Sequence, residues 1–266
     1  MGRYTNKVAL ISGATRGLGA VTARRLVAEG AQVAICGRSV AEGEALATEL
    51  GGAEHILFVP ADLTQPDDCS AVVDATIAAF GRLDILVNNA ASTARGTIET
   101  TTAADFDRMI AINLRAPFLL TQRALPTFKA QHEREGVGGV VINIGSINAY
   151  VGLPALMAYS ASKGGLNTLS RNLADALSPW LVRVHVLNVG WTLTDGEILV
   201  QKAEGAAEDW AEQGGKTRPW GRLLKPEEIA SAIAFLASDE AAVFSGITID
   251  LEQFPLGRLS SGHVGK

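Results

Sequence analysis

The chain has 266 residues, 47% hydrophobic and 19% charged, which is enough apolar surface for a large core and excludes a disordered chain. Its 23 basic and 28 acidic side chains leave a formal charge of −5, and without a Lys/Arg cluster general nucleic-acid binding is excluded. Cys36 and Cys69 make no disulfide framework and read as buried free thiols of a reducing compartment, and the four histidines lack ligand-like spacing, so no metal is expected.

The N-terminus, "MGRYTNKVALISGATRG", reaches glycines too early for a signal peptide. No run reaches the roughly 18 apolar residues of a membrane span. A soluble, cytoplasmic protein with no membrane partner is expected. "KVALIS" (7–12) predicts a buried strand, followed by a helix from about Gly17 to Glu29. "AQVAIC" (31–36) and "VAEGEALATEL" (40–50) give the second strand and helix. "HILFVP" (55–60) is the third strand, with a helix over Pro66 to Phe80, and "LDILVN" (83–88) is the fourth. A long helix spans 103–131, where Pro117 and Pro126 predict kinks or breaks. "GVVINIG" (139–145) is the fifth strand, 158–177 a helix, and "VRVHVLNV" (182–189) the sixth strand. A polar stretch occupies 195–220. "KPEEIASAIAFLAS" (225–238) opens a helix with Pro just inside its start, and "GITIDL" (246–251) is the seventh strand.

Strands apolar on both faces, each followed by a helix, predict an α/β protein with a seven-stranded parallel sheet covered on both sides. Right-handed crossovers make it a doubly wound Rossmann fold. With no linker, low-complexity tract or repeat, one domain over 1–266 is the economical reading, and 195–220 reads as a lid over a site.

The first strand runs into "SGATRGLG", with Gly13, Gly17 and Gly19 before the first helix. Glycine permits a tight turn and close approach to a pyrophosphate, and the helix N-terminus favours its charge. The GxxxGxG spacing is neither GxGxxG nor a P-loop, and a glycine triplet alone also suits a plain turn; its place between strand and helix points to a dinucleotide. An acidic residue commonly ends the second strand to meet a ribose 2′-hydroxyl. Here stand Gly37, Arg38 and Ser39. Arg38, Ser39 and Arg16 suit a 2′-phosphate, which favours NADP over NAD, although both arginines also make sense as solvated surface.

The stretches "SGATRGLG" (12–19), "ADLT" (61–64), "NNAA" (88–91), "IAINLRAPF" (110–118), "VINIGSI" (141–147), "YSASK" (159–163) and "NVGWTLT" (188–194) fall in order at strand ends. On these the chain resembles the short-chain dehydrogenase/reductase family over nearly its whole length. Tyr159 and Lys163 are i and i+4 on one helix face. An ammonium beside a phenol favours the phenolate and is expected to lower its pKa from about 10. The resemblance implies Tyr159 as general acid/base and Lys163 as the group that also holds the nicotinamide ribose. It implies Ser146 as hydrogen-bond partner of the reacting oxygen, and Asn113 as holder of a water in the proton relay. It extends the cofactor site to Gly13, Thr15, Arg16, Gly17, Leu18, Gly19, Arg38 and Ser39 around the turn and second strand. It places Asp62 and Leu63 at the adenine, Asn88, Asn89 and Ala90 beside its ribose, and Gly190, Thr192 and Thr194 at the carboxamide. Tyr150 and Trp191 border the substrate or only pack.

Three departures from the family pattern stand out: Ala91 where glycine is usual, Val189 where proline is usual, and "DLEQ" where D-G-G is common. The last predicts a C-terminal tail that packs differently, toward a neighbouring subunit's site. The expected reaction is NAD(P)-linked interconversion of a secondary alcohol or hemiacetal and its carbonyl. The polar lid favours a sugar or polyol, although a solvated lid exterior explains the same charges. A 3-ketoacyl-type reductase and a non-catalytic nucleotide-sensing protein are the rivals. The resemblance also implies a homo-oligomer, a tetramer or dimer, through 103–131 and 158–177.

Overall fold

The computed structural model describes residues 2–255. Seven parallel strands form one sheet in the order β3-β2-β1-β4-β5-β6-β7. They are β1 (Val8–Ser12), β2 (Gln32–Gly37), β3 (Ile56–Pro60), β4 (Ile85–Asn88), β5 (Gly139–Ser146), β6 (Val182–Val189) and β7 (Thr248–Leu251). Every residue of β1 and β4 is buried, which only a sheet covered on both faces produces. The order reverses between β1 and β4, where a doubly wound sheet leaves a crevice at its carboxyl edge.

Helices α1 (Gly17–Ala28), α2 (Val40–Glu49) and α3 (Pro66–Phe80) follow the first three strands, and α4 (Ala103–Ile110), α5 (Ala116–Glu135) and α6 (Met157–Leu177) the next two. Beyond β6 come α7 (Asp195–Ala203), α8 (Trp210–Lys216) and α9 (Pro226–Ala237). One core layer joins Leu26, Ile35, Ile142 and Ile233 under α1 and α9; the other joins Leu10, Val72, Leu120 and Phe128 under α3 and α5.

The predicted long helix is where the sequence reading needs correction. Its two prolines do not break it. Pro126 lies inside α5, which continues to Glu135. The carbonyl that Pro126 cannot bond belongs to Gln122, an exposed residue on the solvent side of the helix. Pro117 sits at the start of α5, just after a π turn over Ala111–Arg115 that joins α4 to α5. A π turn inserts one residue per turn, and Pro117 has no N–H to offer the carbonyl of Asn113, four residues back. The polar stretch 195–220 likewise contains structure, namely α7 and α8.

Candidate active site

The glycine turn follows from local backbone chemistry. Gly13 and Gly17 have φ of +64° and +57°, the left-handed region where a Cβ costs energy. A Cβ on Gly13 would lie 2.6 Å from Ala90 Cα, and one on Gly19 2.6 Å from Ala14 Cα. Gly13 and Gly19 therefore let the turn press against β4 and its own helix. Ser12 and Asn89 lock the junction. The Ser12 hydroxyl accepts from the amides of Asn89 and Ala90, both at 3.0 Å, and Asn89 Nδ2 donates to the carbonyls of Ser12 and Gly13, both at 2.9 Å. A Cβ on Gly17 would meet nothing within 4 Å, because Gly17 opens onto the crevice.

No side chain caps α1, and its first turn holds no acidic residue. An uncapped helix end beside left-handed glycines presents free amides and a positive dipole, the requirement of a pyrophosphate. The residues present thus fit a dinucleotide.

The crevice has a volume of about 1320 Å³ and runs from this turn across the carboxyl ends of β2, β4, β5 and β6. Beside the ends of β2 and β3 it is lined by Thr15, Arg16, Leu18, Arg38, Ser39, Asp62 and Leu63. Burial pushes the Asp62 carboxyl up, but hydrogen bonds from the amide and hydroxyl of Thr64, with Arg108 and Arg38 nearby, hold it below its ordinary value. Arg38 is exposed on the crevice rim. Arg16 stands 3.8 Å from Glu42, an acidic neighbour of the ribose region that the sequence reading did not single out. Asn89, Ala90, Gly190, Thr192 and Thr194 line the middle of the crevice. Gly19 does not line it; its missing Cβ lets the helix pack against Ala14.

Ser146, Tyr159 and Lys163 come together at the other end. Strand β5 ends on Ser146, and the first turns of α6 carry Tyr159 and Lys163. Lys163 is 2% exposed; its Nζ donates to the carbonyl of Ile144 at 2.7 Å and lies 5.7 Å from the centre of the Tyr159 ring. Burial lowers the Lys163 ammonium to about 8. The Tyr159 phenol is pushed up, chiefly by burial and further by the charge of Glu197, while a hydrogen bond from Ser146 pulls the other way. This corrects the expected direction. In the protein alone, desolvation of the phenolate outweighs the ammonium one turn along.

The Asn113 side chain does not enter the crevice. It is fully buried and spent on structure: Oδ1 accepts from the Ser92 amide at 2.8 Å, and Nδ2 donates to the Ser92 carbonyl and to Ser162 Oγ, both at 3.0 Å. Tyr150 is also outside. Its hydroxyl accepts from Asn188 at 2.9 Å while its ring stays exposed. Trp191 does line the crevice, stacked on Trp210 with ring centres 5.8 Å apart.

Val189 keeps its N–H and stays in the ladder, opposite Ser146 and Leu251. The described part of the tail turns onto its own chain. Glu252 lies 3.6 Å from Arg218, and Gln253 accepts from the Trp220 amide at 3.1 Å and donates to the Arg222 carbonyl at 2.7 Å. Residues from 256 onward lie outside the described residues. Sequence reasoning passed over Arg95, Ser92 and Glu197 as individual site residues: the first two sit in an unpatterned loop, and Glu197 was one charge among many in the polar segment.

Among the described residues no helix is long and apolar enough to cross a membrane. A family model for short chain dehydrogenases matches residues 7–205. The chain is 36% identical over 246 residues to the NADP-dependent (R)-specific alcohol dehydrogenase of Lentilactobacillus kefiri, covering 92% of this chain and 94% of that one. It is 35% identical over 250 residues to the L-fucose dehydrogenase of Mus musculus, covering 93% and 87%. The crystal structure of 3-ketoacyl-(acyl-carrier-protein) reductase from Brucella melitensis complexed with NADH superposes with a TM-score of 0.84 at 34% identity, covering 94% and 98%.

Proposed function

The chain belongs to the short-chain dehydrogenase/reductase family, and from that premise we propose that it interconverts a secondary alcohol or hemiacetal, of the sugar or polyol kind, with its carbonyl, using NADP in preference to NAD. The observation that carries this reading is the meeting of Ser146, Tyr159 and Lys163 in the crevice that begins at the uncapped glycine turn. When bound, the nicotinamide supplies the hydride chemistry.

The chain's own residues handle the proton. In the oxidising direction the Tyr159 phenolate accepts the hydroxyl proton of the substrate; in the reducing direction the phenol returns it. The Ser146 hydroxyl shares the substrate oxygen and fixes its distance from Tyr159. Lys163 supplies positive charge behind the phenol and reaches the ribose, held by the Ile144 carbonyl. Asn113 is fully buried, and its side chain holds the loop at Ser92.

NADP preference rests on Arg38 and Ser39 at the end of β2, with Arg16 above them, and on the likeness to an NADP-dependent relative. Glu42 beside Arg16 limits that preference. We read residues 1–266 as one catalytic domain with 195–220 as its lid. The two buried thiols, raised by burial to about 12 at Cys36 and about 11 at Cys69, suit a reducing cytoplasm. Exposed Phe106 and Phe118 on α4 and α5 suit a homo-oligomer, a dimer or tetramer.

The deciding experiment is a matrix of NAD and NADP against sugars, polyols, simple secondary alcohols and a 3-ketoacyl thioester, read by nicotinamide absorbance. Turnover of alcohols with NADP is expected. Replacing Arg38 with Ala should lower the NADP-to-NAD ratio of kcat/KM by about tenfold or more, the worth of one charge-assisted hydrogen bond. Activity confined to NAD, or cofactor binding without turnover of anything offered, overturns the proposal.

A further inference from the structure

The substrate end of the crevice carries side chains that the proton chemistry does not use. Arg95, from the loop after β4, pairs with Glu204 at 2.9 Å. Arg218 lies over the Trp191 ring and pairs with Glu252 at 3.6 Å. Glu197 shares Arg95 only at 3.9 Å and, among the described residues, has no closer cation. It also lies near enough to Tyr159 for its charge to act there, after burial, on the phenol.

The contacts of Glu197 are one-sided. Its Oε1 accepts from Trp191 Nε1 at 2.9 Å and from Gln201 Nε2 at 2.8 Å, and Arg95 faces the same oxygen at 3.9 Å. Among the described residues nothing donates to Oε2. The side chain is 20% exposed and lines the crevice. Two donors on one oxygen fix the carboxylate's orientation, so the free oxygen is a preorganised acceptor. Beside it, Trp191, stacked on Trp210, adds aromatic surface to the crevice wall. A carboxylate acceptor next to an aromatic face suits a carbon skeleton that bears hydroxyls. The same negative charge repels acids and phosphorylated carriers.

We propose that Glu197 is a specificity-determining residue whose Oε2 accepts a hydrogen bond from a second hydroxyl of the substrate, so that polyhydroxylated alcohols are taken in preference to monohydroxy alcohols and hydroxy acids. The inference rests on the alcohol–carbonyl reading above and adds the group that selects within it.

The test compares cyclohexanol with its positional diols, in wild type, Glu197→Ala and Glu197→Gln. In wild type the best diol should exceed cyclohexanol in kcat/KM by about tenfold or more, as expected for a hydrogen bond to a charged group. Glu197→Ala should collapse that ratio, mainly through KM for the diol. Glu197→Gln keeps an acceptor for Trp191 and should retain part of it. Removing the carboxylate charge should also move the rising limb of the pH–rate profile to lower pH, since that charge raises the Tyr159 phenol. A ratio unchanged in Glu197→Ala, or no diol preference in wild type, overturns the inference and leaves the reaction standing.

Tryptophan emission reads diol binding separately from turnover. If no alcohol turns over but diols change the emission of wild type and not of Glu197→Ala, the reaction reading falls and the acceptor stands. If neither turnover nor a Glu197-dependent emission change is seen, both fall.

Discussion

Tyr159 and Lys163 are both desolvated within one turn of helix, and burial shifts them in opposite directions. Lys163 is buried against a carbonyl, and its ammonium falls to about 8 because water is missing. Tyr159 faces the crevice, yet its phenol rises, first through burial and then through Glu197. Alcohol oxidation that needs the phenolate should therefore accelerate as pH rises through the Tyr159 pKa. Replacing Tyr159 with Phe keeps the ring and removes the acid/base. Turnover should fall by about 10² to 10⁴-fold, the usual worth of a lost proton-transfer group. Cofactor binding, followed by the fluorescence of reduced nicotinamide, should persist, because the glycine turn is untouched. Full turnover in that variant would show that another group moves the proton. The pairing of these two residues was legible from their i, i+4 spacing. The direction of the phenol's shift was not, because desolvation depends on side chains from β5 and α7 that lie far away in the chain.

Two glycines of one turn answer to different constraints at the level of the element. Gly13 combines φ of +64° with a Cβ position 2.6 Å from the Ala90 backbone, so strain and overlap add. Gly13→Ala should cost about 2–5 kcal/mol of stability, the sum of a left-handed L-residue and overpacking. Gly17 has φ of +57° with open space in front of it. Gly17→Ala should cost only about 1–2 kcal/mol but place a methyl where the pyrophosphate approaches. Denaturant midpoints and NADP affinity, measured on both variants, should separate: Gly13→Ala loses stability first, Gly17→Ala loses affinity first. Equal effects on both quantities would mean that the turn is not shaped as described. The turn itself was legible, because a glycine-rich segment between a buried strand and a helix has few other uses. The π turn at Ala111–Arg115 was not. A register change of one residue leaves the apolar spacing nearly intact, so Pro117 predicted a break where the helix only shifts its bonding. Helices α7 and α8 were hidden for a related reason: α8 spans only seven residues, and α7 has no buried residue, so neither shows an apolar stripe.

The whole molecule places its chemistry on the carboxyl edge of the sheet and its stability in the two layers beneath. Buried strands were legible because every one is an apolar run, and the crevice followed from the reversal of strand order. His185 is a polar residue within β6: fully buried, with Nε2 3.3 Å from the Arg183 guanidinium and no partner for Nδ1. Burial, and then the Arg183 charge, lower it to about 4. Its unfolded value is about 6.5. Between those two values the unfolded chain binds a proton that the folded chain refuses, so stability falls as pH drops through this window. Above pH 6.5 the contribution is complete; by about pH 4 it is lost. A shift of this size corresponds to about 3 kcal/mol, a substantial part of a fold's usual 5–15 kcal/mol. Other groups also titrate in acid, Glu228 among them, held down to about 2 by Arg222. A difference measurement isolates the histidine. The urea stability of wild type relative to His185→Gln should fall by about 3 kcal/mol between neutral pH and pH 4, because only wild type has the site to protonate. A difference independent of pH would mean that His185 titrates in the folded chain as it does in the unfolded one. The core layer under α1 and α9 would then be open at β6, and the rigid carboxyl edge on which Ser146 and Tyr159 depend would lose its support.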